Sequence, residues 1–365
     1  MSSTNESSTA PSATSAQSAR ERHVSDFTVL TQQVQAVGLM RRRYGYYWSK
    51  LVGLVVAGLL LTVGFVLIGD TWWQLLTAVV LAGLLVQISF LGHDAAHRQI
   101  FVSGRWNHWV SLVVSNLFAG IGLGWWQRKH NKHHATPNKI DGDPDIAPGI
   151  VAFTAQAAEA RKTRLTRSLT GWQAWFFFPL LLLEGLNLHF QGMRRLLVRG
   201  EVKHRGVELV FLTVRLTGFV ALVFYVLSPG KALAFIGVEL AVYGLYLGVT
   251  FAVNHVGMPI VPADAKIDFL RRQVLMSRNI AGRRWLDTAM GGLNYQIEHH
   301  LFPSMARPNL RKVAPLIREY CDQLGVHYTE TSLSRACREV AVYINRVGRG
   351  GIDVWACPLV TQYRT

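Results

Sequence analysis

LVGLVVAGLLLTVGFVLIG, residues 51–69, carries no charge over 19 positions, and WQLLTAVVLAGLLVQISFLG, residues 73–92, carries none over 20. At about 1.5 Å of rise per residue, each makes a helix able to cross a hydrocarbon core roughly 30 Å thick. An Asp70-Thr71 turn joins them, and Arg41, Arg42, Arg43 and Lys50 precede the first. The positive-inside rule therefore puts the N-terminus in the cytoplasm and returns the second helix to that side.

The whole chain agrees with a membrane setting. It has 365 residues, 50% of them hydrophobic and only 16% charged, which is too apolar for a pair of ordinary soluble domains. A net charge of +16 would suit a nucleic-acid binder if it lay on soluble domains, but the basic residues here alternate with uncharged runs. Anionic lipid headgroups and acidic partners are the expected counterparts, and no nucleic acid. Cys321, Cys337 and Cys357 are odd in number and form no CxxC pair, against a disulfide framework or a cysteine-held metal. No signal peptide is readable. Residues 1–44 are expected to form a disordered or loosely ordered cytoplasmic tail, polar and Ser/Thr/Ala-rich to about residue 25. Residues 331–365 are expected to be a second cytoplasmic tail, with one membrane domain over 45–330.

Four more apolar runs follow, at 106–126, 172–190, 207–227 and 232–254. The third and fourth are joined by Ser228-Pro229-Gly230-Lys231, so they make a hairpin. Arg215 and Glu239 within it are expensive in hydrocarbon and are expected to pair. Basic connectors (Arg161, Lys162, Arg164, Arg167, then Arg194, Arg195, Arg199, Lys203, Arg205) contrast with nearly bare Asp70 and Lys231 turns, which predicts a large cytoplasmic face. Residues 307–324 read as an amphipathic helix stopped at Gly325.

Seven of the 13 histidines fall in three five-residue windows, where random placement would put about half of one. The windows are His93-Asp-Ala-Ala-His97, His130-Asn-Lys-His-His134 and Gln296-Ile-Glu-His-His300. Residues three and four apart share a helix face, so each window presents two or three ligating groups together. Neutral imidazole suits iron, zinc, copper or nickel, and so many nitrogens exceed what one ion of four to six ligands takes. Two metals are expected. If all three windows serve one centre they lie on one side of the membrane, which decides which runs cross. The run 106–126 cannot span, and of the three runs between His134 and His255 an even number must. The hairpin crosses twice, leaving 172–190, broken by Pro179 and Glu184, as interfacial. The expected fold is all-α: four transmembrane helices, interfacial helices and a cytoplasmic helical cap carrying the metal site.

HDAAH, HNKHH and QIEHH, in that order, resemble the three histidine boxes of the integral-membrane fatty acid desaturases. The continuation NYQIEHHLFPSMARPNLRKVAPLIREYC resembles the third-box region of the front-end or acyl-CoA desaturase-like branch, over a likeness spanning about 45–330. The resemblance implies a non-haem centre of two iron ions that uses dioxygen and two electrons to remove two hydrogens from an acyl chain. Carried over by position, His93, His97, His130, His133, His134, His299 and His300 match box ligands, and Gln296 stands where other branches have histidine. His255 resembles an extra ligand supplied after the final helix, with Asn254 as a water-mediated partner or, blandly, a helix-end cap. His108, His189, His204 and His327 match nothing and read as structural.

Asp94 and Glu298 sit between ligands and are candidates to hold a ligand's other ring nitrogen. Asp141-Gly-Asp-Pro-Asp145 is not an EF-hand, since its sixth and twelfth places are Ile146 and Ala152. It is either a plain turn or brings Asp143 or Asp145 to a box histidine. Glu201-Val-Lys-His204 has the Glu-x-x-His form of soluble di-iron proteins but lacks a second copy, so it reads as coincidence. Trp125 and Trp126 suit an acyl channel or an interfacial belt equally.

The expected function is acyl-chain desaturation, on acyl-CoA, acyl-ACP or acyl-lipid. No dinucleotide fingerprint, flavin site or cytochrome module is evident, so electrons are expected from an external donor such as ferredoxin or a ferredoxin-fused NAD(P)H reductase. Arg outnumbers Lys 29 to 9, and no retrieval tail or fused haem domain is seen, which favours a bacterial plasma membrane with the active site on its cytoplasmic side. A hydroxylase or ketolase of the same superfamily would share the boxes. A histidine-rich membrane metal transporter would need ligands at mid-membrane depth, whereas these lie outside the uncharged cores.

Overall fold

A computed structural model describes residues 25–198 and 200–351. The chain opens with α1 (Asp26–Ala36), followed by α2 (Tyr44–Ile68) and α3 (Gln74–Ala96). Next come α4 (Gly104–Leu112), a π-helical segment Val113–Ala119, α5 (Leu123–Ala135), and the short helices α6 (Ala155–Glu159) and α7 (Arg164–Gly171). Helices α8 (Gln173–Leu181), α9 (Glu184–Leu197), α10 (Arg205–Val226) and α11 (Pro229–His255) complete the apolar part. The remainder is α12 (Phe269–Leu275), β1 (Asn279–Ala281), α13 (Arg284–Ala289), α14 (Gln296–Leu301), α15 (Arg307–Gln323), β2 (Glu330–Ser332) and α16 (Leu333–Gly348). The two strands pair in parallel, with Ile280 opposite Thr331.

Among the described residues, α2, α3, α10 and α11 are the four single helices long and apolar enough to cross a membrane. The run 172–190 is divided between α8 and α9, with Pro179 in the last turn of α8, and neither piece is long enough to span. The run 106–126 bends by 115° between its two helical halves. Gly120 makes that bend at φ +77°, where a side chain would meet His189. A turn dipping into hydrocarbon must have its carbonyls served from within the protein. Arg215 Nε donates to Phe118 O at 2.9 Å and His189 Nδ1 lies 2.7 Å from Gly120 O.

This bend accounts for a departure from expectation. Arg215 forms no ion pair with Glu239: its Nε is engaged by Phe118 O at the bend, and Glu239 is buried with Oε1 unpartnered. At the opposite end of the bundle the two hairpin turns are tied together. Asp70 Oδ1 accepts from Ser228 N at 2.9 Å and Ser228 Oγ at 3.0 Å, and Lys231 pairs with Asp70 at 3.0 Å.

Both expected tails, 1–44 and 331–365, take in residues that form packed helices. Helix α1 is capped by Ser25 and buries Leu30 and Val34, four residues apart on one face, against Val274, Leu310 and Ile317. Arg271 pairs with Asp26 at 2.8 Å, and Tyr320 donates to Asp26 O. Helix α16 buries Ala336, Val340, Ile344 and Val347, a helical stripe too short to stand out from sequence alone. The expectations for residues 1–24 and 352–365 lie outside the described residues. Helix α15 stops where expected, with Gly325 at φ +64°.

Helices α9 and α11 cross at Gly185 and Gly244, where a methyl group on either would collide with backbone of the other helix. Gly185→Val is expected to force them apart at a cost of about 1–3 kcal/mol, lowering the thermal midpoint of the purified protein by roughly 3–10 °C. Gly53→Val, in open space on α2, serves as the control and is expected to leave the midpoint in place.

Candidate metal centre

Four elements deliver the histidines. His93 lies in the last turn of α3, and His97 caps that helix. Helix α5 carries His130, His133 and His134 but starts at Gly122 with no side-chain cap of its own. Buried Glu208 in the first turn of α10 supplies one, accepting from Gly124 N at 3.0 Å and placing a carboxylate at the positive end of the helix. His255 closes α11, and the six-residue α14 carries Gln296, His299 and His300.

The side chains converge as two groups. Ring nitrogens of His93, His97, His130 and His299 all lie within 4.8 Å of one another, and so do those of His133, His255 and His300. His134 stands between the groups, its Nε2 3.1 Å from His130 Nε2 and 3.2 Å from His299 Nε2, its ring stacked on His300 at 4.2 Å. His97 Nε2 is 2.8 Å from His130 Nε2, and His133 Nε2 is 3.3 Å from His255 Nε2.

Hydrogen bonding alone cannot account for these contacts. Nε2 atoms of His97, His130, His134 and His299 touch in a chain of three contacts. A protonated ring nitrogen donates once and a bare one only accepts, so at most two of the three can be hydrogen bonds. Metal–nitrogen bonds of about 2.1 Å place neighbouring ligand atoms roughly 3.0–3.4 Å apart in octahedral or tetrahedral geometry, which these spacings approach. Nε2 of His93 and of His300 is buried with no partner at all. The residues present fit metal ions.

Three of the rings have their outer nitrogen held by a partner, which turns Nε2 inward, whereas Nδ1 of His134 and of His299 is buried without one. His133 Nδ1 meets Asp143 at 2.9 Å and Asp145 at 3.2 Å, His255 Nδ1 meets Met276 O at 3.0 Å, and His300 Nδ1 meets Gln273 Oε1 at 2.9 Å. Burial, then neighbouring imidazoles, push His97, His130, His134, His299 and His300 well below the usual histidine range, keeping them neutral with lone pairs available. Burial also opposes charge on His133, but the Asp143 hydrogen bond and the Asp145 carboxylate outweigh it and raise that ring.

The remaining sequence candidates divide. Asp94 lies 3.5 Å from His93 Nδ1 and forms a buried ion pair with Arg307 at 2.6 Å. Glu298 does not hold a histidine. It turns away to accept from Asn279 and Tyr328, each at 2.7 Å, because its place on α14 is opposite the ligand face, and burial pushes it up to about 7. Gln296 Nε2 lies 2.9 Å from His255 Nε2. Asn254 donates to Thr250 O, Leu293 O and Gln296 Oε1, so it braces α11 from inside and does not cap its end, while its Oδ1 is buried without a partner. Gln273, Asn138 and Arg307 were not readable beforehand. Asn138, at φ +53°, donates its amide to Asp143 and its side chain to His255 O. Gln273, besides holding His300, donates to His134 O at 3.0 Å. Gln273→Leu is expected to cost about 10- to 100-fold in metal affinity or turnover, read by metal analysis of the purified variant.

Fold and site together define an integral-membrane protein with a polyhistidine cluster able to hold metal at one end of its helix bundle. The family model for fatty acid desaturases matches residues 70–332, which include every histidine of both groups. The chain belongs to the fatty acid desaturase family. It is 32% identical over 259 residues to an acyl-lipid (9-3)-desaturase of Borago officinalis, covering 68% of this chain and 58% of that protein. It is 28% identical over 323 residues to a delta(8)-fatty-acid desaturase of Helianthus annuus, covering 84% of this chain and 69% of that one. With fatty acid desaturase 3 of Bos taurus the identity is 29% over 338 residues, 91% of this chain and 74% of the relative. The chain thus spans under two thirds of the borage relative's length.

Proposed function

We propose that this chain is a membrane acyl-chain desaturase that holds two iron ions, one on His93, His97, His130 and His299 and the other on His133, His255 and His300, with His134 between them. The division of seven imidazoles into sets of four and three, in a chain of this family, carries the reading. Gln296 and, through water, Asn254 complete the second set. Bound iron supplies the oxidising power, drawn from dioxygen and two electrons, to break two C–H bonds on an unactivated chain. Overall –CH2–CH2– with dioxygen, two electrons and two protons gives –CH=CH– and two waters.

The chain's own residues fix and shield that chemistry. Asp143, Asp145, Gln273 and the Met276 carbonyl lock ligand rings in one orientation. Trp126 stacks on His130 at 4.4 Å and approaches His93 edge-on at 5.6 Å, excluding water from one side. Electrons arrive from a separate protein. The basic connectors around Arg161–Arg167 and Arg194–Arg205 attract an acidic ferredoxin or a ferredoxin-fused reductase, an encounter that rising salt slows.

The test is the fatty acid profile of a bacterial host expressing the chain, read by mass spectrometry. Products lacking two hydrogens are expected. Products gaining one oxygen would make it a hydroxylase, and an unchanged profile from an iron-loaded, membrane-inserted chain with a working reductase would overturn the reading. The site faces the cytoplasm of a bacterial plasma membrane in this proposal. Single cysteines at Asp70 and Lys231, in a background without Cys321, Cys337 and Cys357, are expected to react with an impermeant thiol reagent from outside intact cells, and one at Arg164 to be protected. Labelling at Arg164 would break the one-sided arrangement. Arg199, also suited to that test, lies outside the described residues.

A further inference from the structure

The three-histidine group is sealed. His133, His255 and His300 are all buried, and Nε2 of His300 is left there without a partner. An ion bound for this group has to be handed in by a side chain that solvent can reach. Asp145 is such a side chain: 42% exposed, with Oδ2 3.2 Å from His133 Nδ1. Behind it Asp143, wholly buried, places Oδ2 2.9 Å from the same nitrogen. The imidazole nitrogen and the two carboxylates all lie within 4.8 Å of one another, a third set of metal-capable groups that shares His133 with the second.

Sequence and packing make this corner attractive to a cation. Asp141-Gly-Asp-Pro-Asp145 puts three carboxylates in five residues with no lysine or arginine among them, in a chain whose net charge is +16. The Asn138 amide at 2.7 Å and the Asp145 amide at 2.9 Å fix the Asp143 carboxylate, while Asp141 and Asp145 stay exposed. A cation already rests there: Lys129 Nζ lies 2.7 Å from Asp145 Oδ1, and the lysine is itself 41% exposed and able to swing out. Glu184 is close enough to act on the Lys129 charge and can receive it. The approach to the four-histidine group is of opposite sign. His97 and His130 are partly exposed, but exposed Arg98 and Lys132 stand one and two residues from them and repel an incoming cation.

We infer that Asp145 and Asp143 form an intake site, where a ferrous ion is taken from solvent and passed by way of the His133 ring to the three-histidine group. The inference rests on the two-iron reading. Oxygen ligands on an exposed edge suit a hydrated divalent ion, whereas imidazoles suit its final place. In the exchange the Lys129 ammonium leaves Asp145 for Glu184 or water, and the two carboxylates take the ion with part of its water shell. His133 Nδ1 joins them as third ligand after passing its proton to water. After transfer to the Nε2 side, His133 Nδ1 regains a proton from water. The carboxylates then close again on that nitrogen and Lys129 on Asp145, the arrangement seen here.

The test follows iron uptake and not turnover. Metal-free full chain in nanodiscs is mixed, without oxygen, with two equivalents of ferrous ion, and at intervals a ferrous chelator removes whatever is not yet enclosed. Chelator-resistant iron per chain gives both a rate and a final amount. Asp145→Asn is expected to slow the arrival of half the protected iron by roughly tenfold, the scale on which charge changes local ion concentration, and to reach the wild-type final amount. Lys129→Met, which uncovers Asp145, is expected to speed the same half, and Asp145→Glu to restore the wild-type rate. Rising salt is expected to slow uptake by the wild type without changing the final amount. Unchanged rates in Asp145→Asn and Lys129→Met would overturn the intake site and leave the two-iron reading standing. A lower final amount in Asp145→Asn at an unchanged rate would also overturn it, since the carboxylate would then only hold the His133 ring. Lys129→Met touches no ligand ring, so its rate decides the matter if Asp145→Asn changes rate and final amount together. A wild type that encloses no iron would overturn the two-iron reading and the intake site with it.

Discussion

His299→Ala is expected to abolish desaturation, dropping turnover more than about 100-fold, and to release metal while the chain stays folded in the membrane. The scale follows from partners one shell further out, whose loss costs about 10- to 100-fold, so a ligand itself must cost more. His299 is the choice because its ring sits 4.8 Å from both His93 and His134 and 4.9 Å from His97, so it borders every member of the four-histidine group and the bridging ring. It is fully buried, and its removal opens a hole that water fills without replacing a fixed imidazole. Iron analysis and product profiling of the purified variant decide the matter. Full activity would remove the third window from the metal site. His327→Ala, on an exposed residue far along the chain, is expected to behave as wild type.

Arg307→Met is expected to be the most destabilising single change, at about 3–5 kcal/mol. Arg307 and Asp94 are both buried, paired at 2.6 Å, and Arg307 also donates to Phe90 O at 2.8 Å. Removing the guanidinium strands a buried carboxylate beside His93 of the four-histidine group. The pair also ties α15 to the end of α3, so its loss loosens the third window against the first. Thermal unfolding of the purified variant measures the effect. Asp94→Asn in the Arg307→Met background is expected to recover a large part, because it removes the stranded charge. A further loss of equal size on adding it would show that Asp94 is sustained by something other than Arg307.

Whether these residues were legible beforehand depended on the reach of the contact. Helices α2 and α3 were plain because hydrocarbon forbids charge along a whole run, a constraint written in consecutive residues. The histidine windows were plain because residues three and four apart share a helix face, and the structure brings those faces together. The break of the run 172–190 into two short helices matches what parity asks of it once the windows are assigned to one side. Arg215 was misjudged because its true partner is a backbone carbonyl of Phe118, which has no signature in the sequence. Arg307 escaped notice because it acts on Asp94, far back along the chain, and Gln273 because no motif links it to His300 or to the His134 carbonyl. Helices α1 and α16 read as tails in the sequence because four buried positions or fewer make too faint a stripe to separate from polar surroundings. Glu298 shows the reverse error, a residue flanked by ligands that faces the other way.

Helix α1 has a consequence for how the molecule is made. Its partners Arg271 and Tyr320 lie 245 and 294 residues downstream of Asp26. At synthesis rates of about 5–20 residues per second, roughly 15–60 s separate the emergence of the first segment from that of the last residue it grips. During that interval Leu30 and Val34 have nothing to cover them, while the transmembrane hairpins are already being threaded into the bilayer. The cap that carries the third histidine window therefore closes only when translation is nearly complete. On the proposed reading the seven-histidine site is thus completed only in a finished chain, so metal is taken up after insertion and not during it.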